Sequence, residues 1–104
     1  MPGLLIQGKL YKVDDEGYLW SRKRWTPEWA PERAKMLGIE LTEKHWVIIN
    51  YIREYSEKTG IAPLAKIVSR NLGLSAHEFE DLFGEKPMRN ASKIAGLERP
   101  TGCV

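Results

Sequence analysis

The sequence predicts an α+β fold that is mostly helical: an N-terminal β-hairpin packed on a small helical bundle, with a helix-turn-helix-like core and an extended C-terminal arm. Three observations carry this prediction. Near the start, two β-prone runs flank the turn set Asp14-Asp15-Glu16-Gly17. Between residues 41 and 83, apolar residues recur at helical spacing between capping residues and glycines. After residue 84 the periodicity stops, and Gly84, Pro87, Asn90, Gly96, Pro100 and Gly102 punctuate the chain. At 104 residues there is room for one domain, divided as hairpin 1–20, helical core 21–83 and arm 84–104.

In the hairpin, Leu4-Leu5-Ile6 is broken by Gly8, and Leu10, Tyr11 and Val13 precede the turn before Tyr18-Leu19-Trp20. Two strands alone are marginal in water, so they must lie on helices. Ser21-Arg22-Lys23-Arg24 opens a basic stretch. A helix then begins at Pro27, after Thr26 as N-cap, or at Pro31, and stops at Gly38. Trp25 and Trp29, four apart, would share a face of such a helix. Five basic residues here face two acidic ones, which suits either a solvated rim or a docking surface for an acidic partner.

The main helix spans 41–59, with Thr42 as N-cap and Gly60 as stop; Glu43 comes too early to close a capping box. Ile48, Ile52 and Tyr55 form its apolar stripe, widened by Trp46 and Ile49 and bordered by Tyr51. Leu64, Ile67, Val68 and Leu72 mark a second helix ended by Gly73. Ser75 with Glu78 three residues later opens a third, buried through Phe79, Leu82 and Phe83. Together these two form a helix-turn-helix rhythm. Reading DNA would require donors at the start of the second helix. That position holds Ala76, His77, Glu78 and Glu80, whose carboxylates repel phosphate, so the unit is read as structural and direct nucleic-acid binding is not expected. Within the arm, Lys93 to Leu97 is read as one short turn packed by Ile94 and Leu97.

A net charge of +2 gives no general argument for nucleic acid, and no apolar run is long enough to span a bilayer. The first residues lack the pattern of a signal peptide, so the protein is expected in the cytoplasm, away from membranes. One cysteine and two histidines on separate helices, His45 and His77, assemble no metal cluster, and no nucleotide- or cofactor-binding motif is present, so neither metal nor cofactor is expected. His45 is read as a partly exposed helix residue.

The lone Cys103 follows Pro100-Thr101-Gly102, which cannot continue a helix. A thiol on such a segment reaches beyond its own domain, and its thiolate is the nucleophilic form. Lys93 and Arg99 favour the thiolate, while the neighbouring C-terminal carboxylate of Val104 opposes it. A persulfide on this sulfur needs reach and a docking surface but no pocket of its own.

Leu41-Thr42-Glu43-Lys44-His45-Trp46, Tyr51-Ile52-Arg53-Glu54-Tyr55 and Gly60-Ile61-Ala62-Pro63 resemble the central helices of the DsrC/TusE family. The tail from Lys93 to Val104 is similar to that family's signature arm, and Asp14 to Leu19 fits its hairpin. The resemblance implies a sulfur-relay protein carrying persulfide on its penultimate cysteine, here Cys103. Ser92 stands where DsrC proper has a second arm cysteine, and a serine cannot take part in a sulfur bridge. This favours the TusE-like role in tRNA 2-thiouridine formation, with a sulfur-donor protein and a downstream tRNA-thiolating enzyme as partners. The alternative is an interaction partner of dissimilatory sulfite reductase. Either way the expectation is a sulfurtransferase-type carrier rather than a free-standing enzyme, with Ser92, Lys93 and Arg99 shaping the arm. The family's Leu-Phe-Pro-x-Gly-Pro stretch reads Leu82-Phe83-Gly84-Glu85-Lys86-Pro87 here.

Overall fold

A computed structural model describes residues 2–100. It shows the expected architecture, a two-stranded antiparallel hairpin against a bundle of five helices. Strands β1 (Gly3–Ile6) and β2 (Lys9–Lys12) pair with Leu4 opposite Tyr11 and Leu5 opposite Leu10. Their turn is Gln7-Gly8, both with positive φ (49° and 80°), as a two-residue hairpin with right-handed twist requires. The main turn therefore falls earlier than the sequence suggested, because glutamine is an unusual residue for that backbone. The Asp14–Gly17 turn is also real and folds the chain back a second time. Val13 bridges Leu19, the Trp20 N–H donates to the Lys12 carbonyl at 2.9 Å, and one Asp14 carboxylate oxygen accepts from the Glu16 and Tyr18 N–H groups.

A single 3₁₀ turn, Arg22–Arg24, precedes α1 (Trp29–Met36). Neither proline opens α1; Pro31 is its third residue, where its missing N–H would have had no intrahelical partner. Trp25 consequently lies outside the helix. Next come α2 (Glu43–Thr59), α3 (Ala65–Leu72) and α4 (Ala76–Phe83), close to their predicted bounds and ended by Gly60, Gly73 and Gly84. The Ser75–Glu78 capping box forms as expected. In α2, Tyr55 is only half-buried, and Ser56 takes its place beside Ile48, Ile49 and Ile52 in the interior.

His45 is buried rather than partly exposed. Its Nδ1 accepts the Thr42 N–H at 3.0 Å, the back-bond that a glutamate usually makes in a capping box. Its Nε2 then carries the proton and donates to the Leu82 carbonyl at 2.6 Å, with the ring edge-on to Phe83. One imidazole thus joins the start of α2 to the end of α4.

The loss of periodicity after residue 84 does not mark the end of the folded core. Residues Pro87–Ala95 form α5, which packs on α1, α2 and α4 and buries Met88, Ala91, Ser92, Ile94 and Ala95. These meet Ala30, Ala34, Ile48, Ile49, Ile52, Val68, Phe79 and Phe83 in the main core. A second cluster, Ile6, Tyr11, Val13, Leu19 and Trp29, seats the hairpin, and Trp25 packs against both.

Candidate functional site: the root of the arm

Cys103 lies outside the described residues, so the site is built from what holds the chain leading to it. Helix α5 ends in a Schellman motif: the Leu97 N–H donates to the Ser92 carbonyl at 2.9 Å and the Gly96 N–H to that of Lys93 at 3.4 Å. Helix ends leave carbonyls short of backbone partners, and here long side chains from distant elements reach the last three. The Trp29 indole N–H donates to the Lys93 carbonyl at 2.8 Å, the Trp25 indole to that of Ile94 at 3.0 Å, and Arg53 Nη1 to that of Ala95 at 2.7 Å. The Arg53 guanidinium also lies 4.0 Å from the centre of the Trp25 ring. Burial is the main influence drawing Arg53 below the usual arginine range; Glu57 works against it and Arg22 with it. A guanidinium retains its charge in such a setting, so its bond to Ala95 is charge-assisted. Gly96 backs directly onto Trp25: a Cβ there would lie 2.5 Å from its Cδ1.

The predicted arm residues fall into distinct environments. Ser92 is fully buried, and its hydroxyl has no hydrogen-bond partner among the described residues. Lys93 extends its ammonium to 5.2 Å from the centre of the Tyr18 ring. Burial, then repulsion from Arg33, holds that ammonium below the usual lysine range. Arg99 pairs with Glu16 at 3.0 Å, an exposed contact worth little energetically that joins the arm at Arg99 to the Asp14–Gly17 turn. The structure thus brings Lys93 and Arg99 to one turn and leaves Ser92 in the interior. Sequence reasoning missed Trp25, Trp29 and Arg53 as anchors. Their partners lie 69, 64 and 42 residues away, so local spacing carries no sign of the contacts.

Tyr18 closes this corner. It is buried, its hydroxyl has no partner among the described residues, and burial raises its phenol above the ordinary value, Arg89 opposing and Glu16 adding. Tyr18→Phe is expected to change stability at pH 7 by no more than about 1 kcal/mol, since it removes an unsatisfied hydroxyl. A raised folded-state pKa contributes stability that is intact below the unfolded value of about 10 and is lost as pH rises past it. Urea titrations at pH 7 and above pH 10 should therefore show the variant losing less stability in alkali than the parent. Equal alkaline losses would contradict this account.

No described helix is long and apolar enough to cross a membrane, and no group of His, Cys, Asp or Glu among the described residues has the arrangement of a metal site. A family model described as DsrC like protein matches residues 5–104. The chain is 38% identical over 105 residues to the dissimilatory-type sulfite reductase subunit gamma of Nitratidesulfovibrio vulgaris, covering 100% of both chains. It is 41% identical over 107 residues to the sulfurtransferase TusE of Buchnera aphidicola subsp. Schizaphis graminum, covering 92% of this chain and 93% of that one. The solution structure of DsrC from Allochromatium vinosum superposes with a TM-score of 0.88 at 38% identity, over 98% of this chain and 97% of that one. The fold and the sequence agree over nearly their full length, and the chain belongs to the DsrC-like protein family.

Proposed function

We propose that this protein is a TusE-like sulfur carrier, accepting persulfide sulfur on Cys103 and passing it to a second protein in the pathway to tRNA 2-thiouridine. The observation that carries the reading is the single cysteine, placed beyond a helix end that three distant side chains tie down. A fixed root with a thiol eight residues past the last helical residue suits delivery into another protein's active site. The Cys103 thiolate attacks the outer sulfur of a donor persulfide, R–S–SH. A bond forms between Sγ and that sulfur, the donor S–S bond breaks, and the donor leaves as its thiolate with the proton remaining on the transferred sulfur. No external oxidant is needed. Lys93 and Arg99, the latter paired with Glu16, bring positive charge to the arm's base, and positive charge favours thiolate and persulfide anion. Ser92 offers only a buried hydroxyl, so an internal disulfide cycle has no second sulfur. A reducing cytoplasm is the compartment in which such a lone thiol stays available.

Similarity over its full length to a sulfite reductase gamma subunit supports a second reading, in which the arm docks on dissimilatory sulfite reductase. Intact mass after incubation with a persulfide-loaded donor separates the two. The sulfur-carrier reading expects a reducible gain of one sulfur, reduced to background in Cys103→Ser. No gain from several competent donors, together with binding to sulfite reductase, would overturn it in favour of the second.

A further inference from the structure

Among the described residues, none of the side-chain hydrogen bonds that hold the arm comes from the outer face of the hairpin. Strand alternation turns Leu4, Ile6, Tyr11 and Val13 inward and leaves Leu5 and Leu10, direct cross-strand partners, outside. Trp20 extends this face, because the Val13–Leu19 bridge and the Trp20 N–H bond to Lys12 place it opposite Lys12. Leu5, Leu10 and Trp20 are 70%, 63% and 61% exposed. Several large exposed apolar side chains on one strand face mark an interaction site more often than isolated exposed residues do.

Positive charge predominates on the segments that form it. Residues 2–13 and 19–27 carry Lys9, Lys12, Arg22, Lys23 and Arg24 and no carboxylate side chain. The whole chain is only +2, so the rest of it is net acidic. Lys12, Lys23 and Arg24 are exposed and join no ion pair among the described residues. The face also reaches the root of the arm. Trp20, Arg22 and Glu98 line one depression of about 230 Å³, and Arg22, Lys23, Arg53, Leu97 and one carboxylate, Glu57, line a neighbouring one of about 270 Å³.

We propose that this face, Leu5, Leu10 and Trp20 with Lys12 beside them and Lys23 and Arg24 on the turn that follows Trp20, docks the protein that exchanges sulfur with Cys103, through an apolar contact surface set in an acidic rim. The inference rests on the sulfur-carrier reading. Charge complementarity selects the acidic rim, and continuity with Leu97 and Glu98 selects the sulfur-exchanging protein. A membrane surface would use similar side chains but has no need of them beside the arm.

The test compares two donors, glutathione persulfide and a persulfide-loaded sulfurtransferase from the same cell, on three proteins: the parent, Leu10→Ser/Trp20→Ser, and Lys12→Glu/Lys23→Glu/Arg24→Glu. All substituted positions are exposed, and circular dichroism and thermal melts establish that each variant folds. The proposal expects glutathione persulfide to load all three equally. It expects protein-to-protein transfer at sub-saturating concentration to fall at least tenfold in both variants, with the salt dependence of the parent lost in the charge-reversed one. Equal protein-donor rates in all three would overturn it. So would parent-specific binding to vesicles rich in phosphatidylserine, or a parent dimer abolished by Leu10→Ser/Trp20→Ser, without any change in transfer. Failure of both donors on the parent would instead remove the sulfur-carrier reading itself, and this proposal with it.

Discussion

Gly96→Ala is expected to destabilise the fold by about 3–5 kcal/mol, and Gly73→Ala by only about 1–2 kcal/mol. Both glycines end helices with positive φ, 72° and 67°. A side chain in the left-handed region costs roughly 1–2 kcal/mol at either site. The sites differ in what a Cβ would meet. At Gly73 nothing lies within 4 Å, whereas at Gly96 three Trp25 atoms lie at 2.5, 2.8 and 2.9 Å, one of them its own Cβ. Trp25 has little freedom to yield, with its N–H held by the Ile94 carbonyl and its ring faced by Arg53. Overpacking costs about 1–3 kcal/mol, and loss of the indole bond adds about 1 kcal/mol. For a domain of this size the excess over Gly73→Ala corresponds to a further fall in Tm of on the order of 10 °C. Denaturant titration of both variants measures it. Equal costs would mean that the Trp25–Gly96 contact does not fix the root of the arm.

That contact illustrates what the sequence discloses and what it withholds. Helix α2 was legible because Thr42, a run of isoleucines and Gly60 lie in register with one another, and α4 because Ser75 and Glu78 form a local pair. The hairpin's existence was legible, but its main turn was obscured because Gln7 adopts a backbone usually taken by glycine or asparagine. Helix α5 was missed for a packing reason. It is surrounded by three helices, and its buried face, Met88 and Ile94 apart, relies on Ala91, Ser92 and Ala95, small residues that permit close approach but contribute little apolar signal. Asn90 also looks like loop punctuation, yet its amide donates to the Phe83 carbonyl near the end of α4. The polar link made by His45 did have a sequence signal, Thr42-x-x-His45, in which histidine takes the place of the usual glutamate. The arm residues themselves were recognised by family resemblance; their anchors required the three-dimensional fold.

Trp29→Phe is the second large effect, expected to cost about 2–4 kcal/mol and to loosen the hairpin more than the helices. Trp29 is fully buried, with its ring centre 5.0 Å from that of Tyr11 in the cluster that seats the hairpin. Its indole also donates to the Lys93 carbonyl, so one side chain joins the hairpin, α1 and the end of α5. Phenylalanine leaves a void where the second ring was and removes the donor; complete truncation of a buried Trp costs roughly 3–5 kcal/mol, an upper guide. The Lys93 carbonyl keeps only the longer Gly96 bond at 3.4 Å. Hydrogen exchange locates the damage: the Tyr11 and Val13 amides should lose protection further below the global stability than those of Ile49 and Ile52, because β1 and β2 have little core besides this cluster. Trp20→Phe serves as the reference, since its ring is largely exposed and the change should stay within about 0.5 kcal/mol. If Trp29→Phe lowered protection uniformly, hairpin and helices would be one cooperative unit and the coupling assigned to this tryptophan would be wrong. If the hairpin alone opened, the Asp14–Gly17 turn would be released with it, and Arg99 would lose the support of Glu16 along the first residues of the arm.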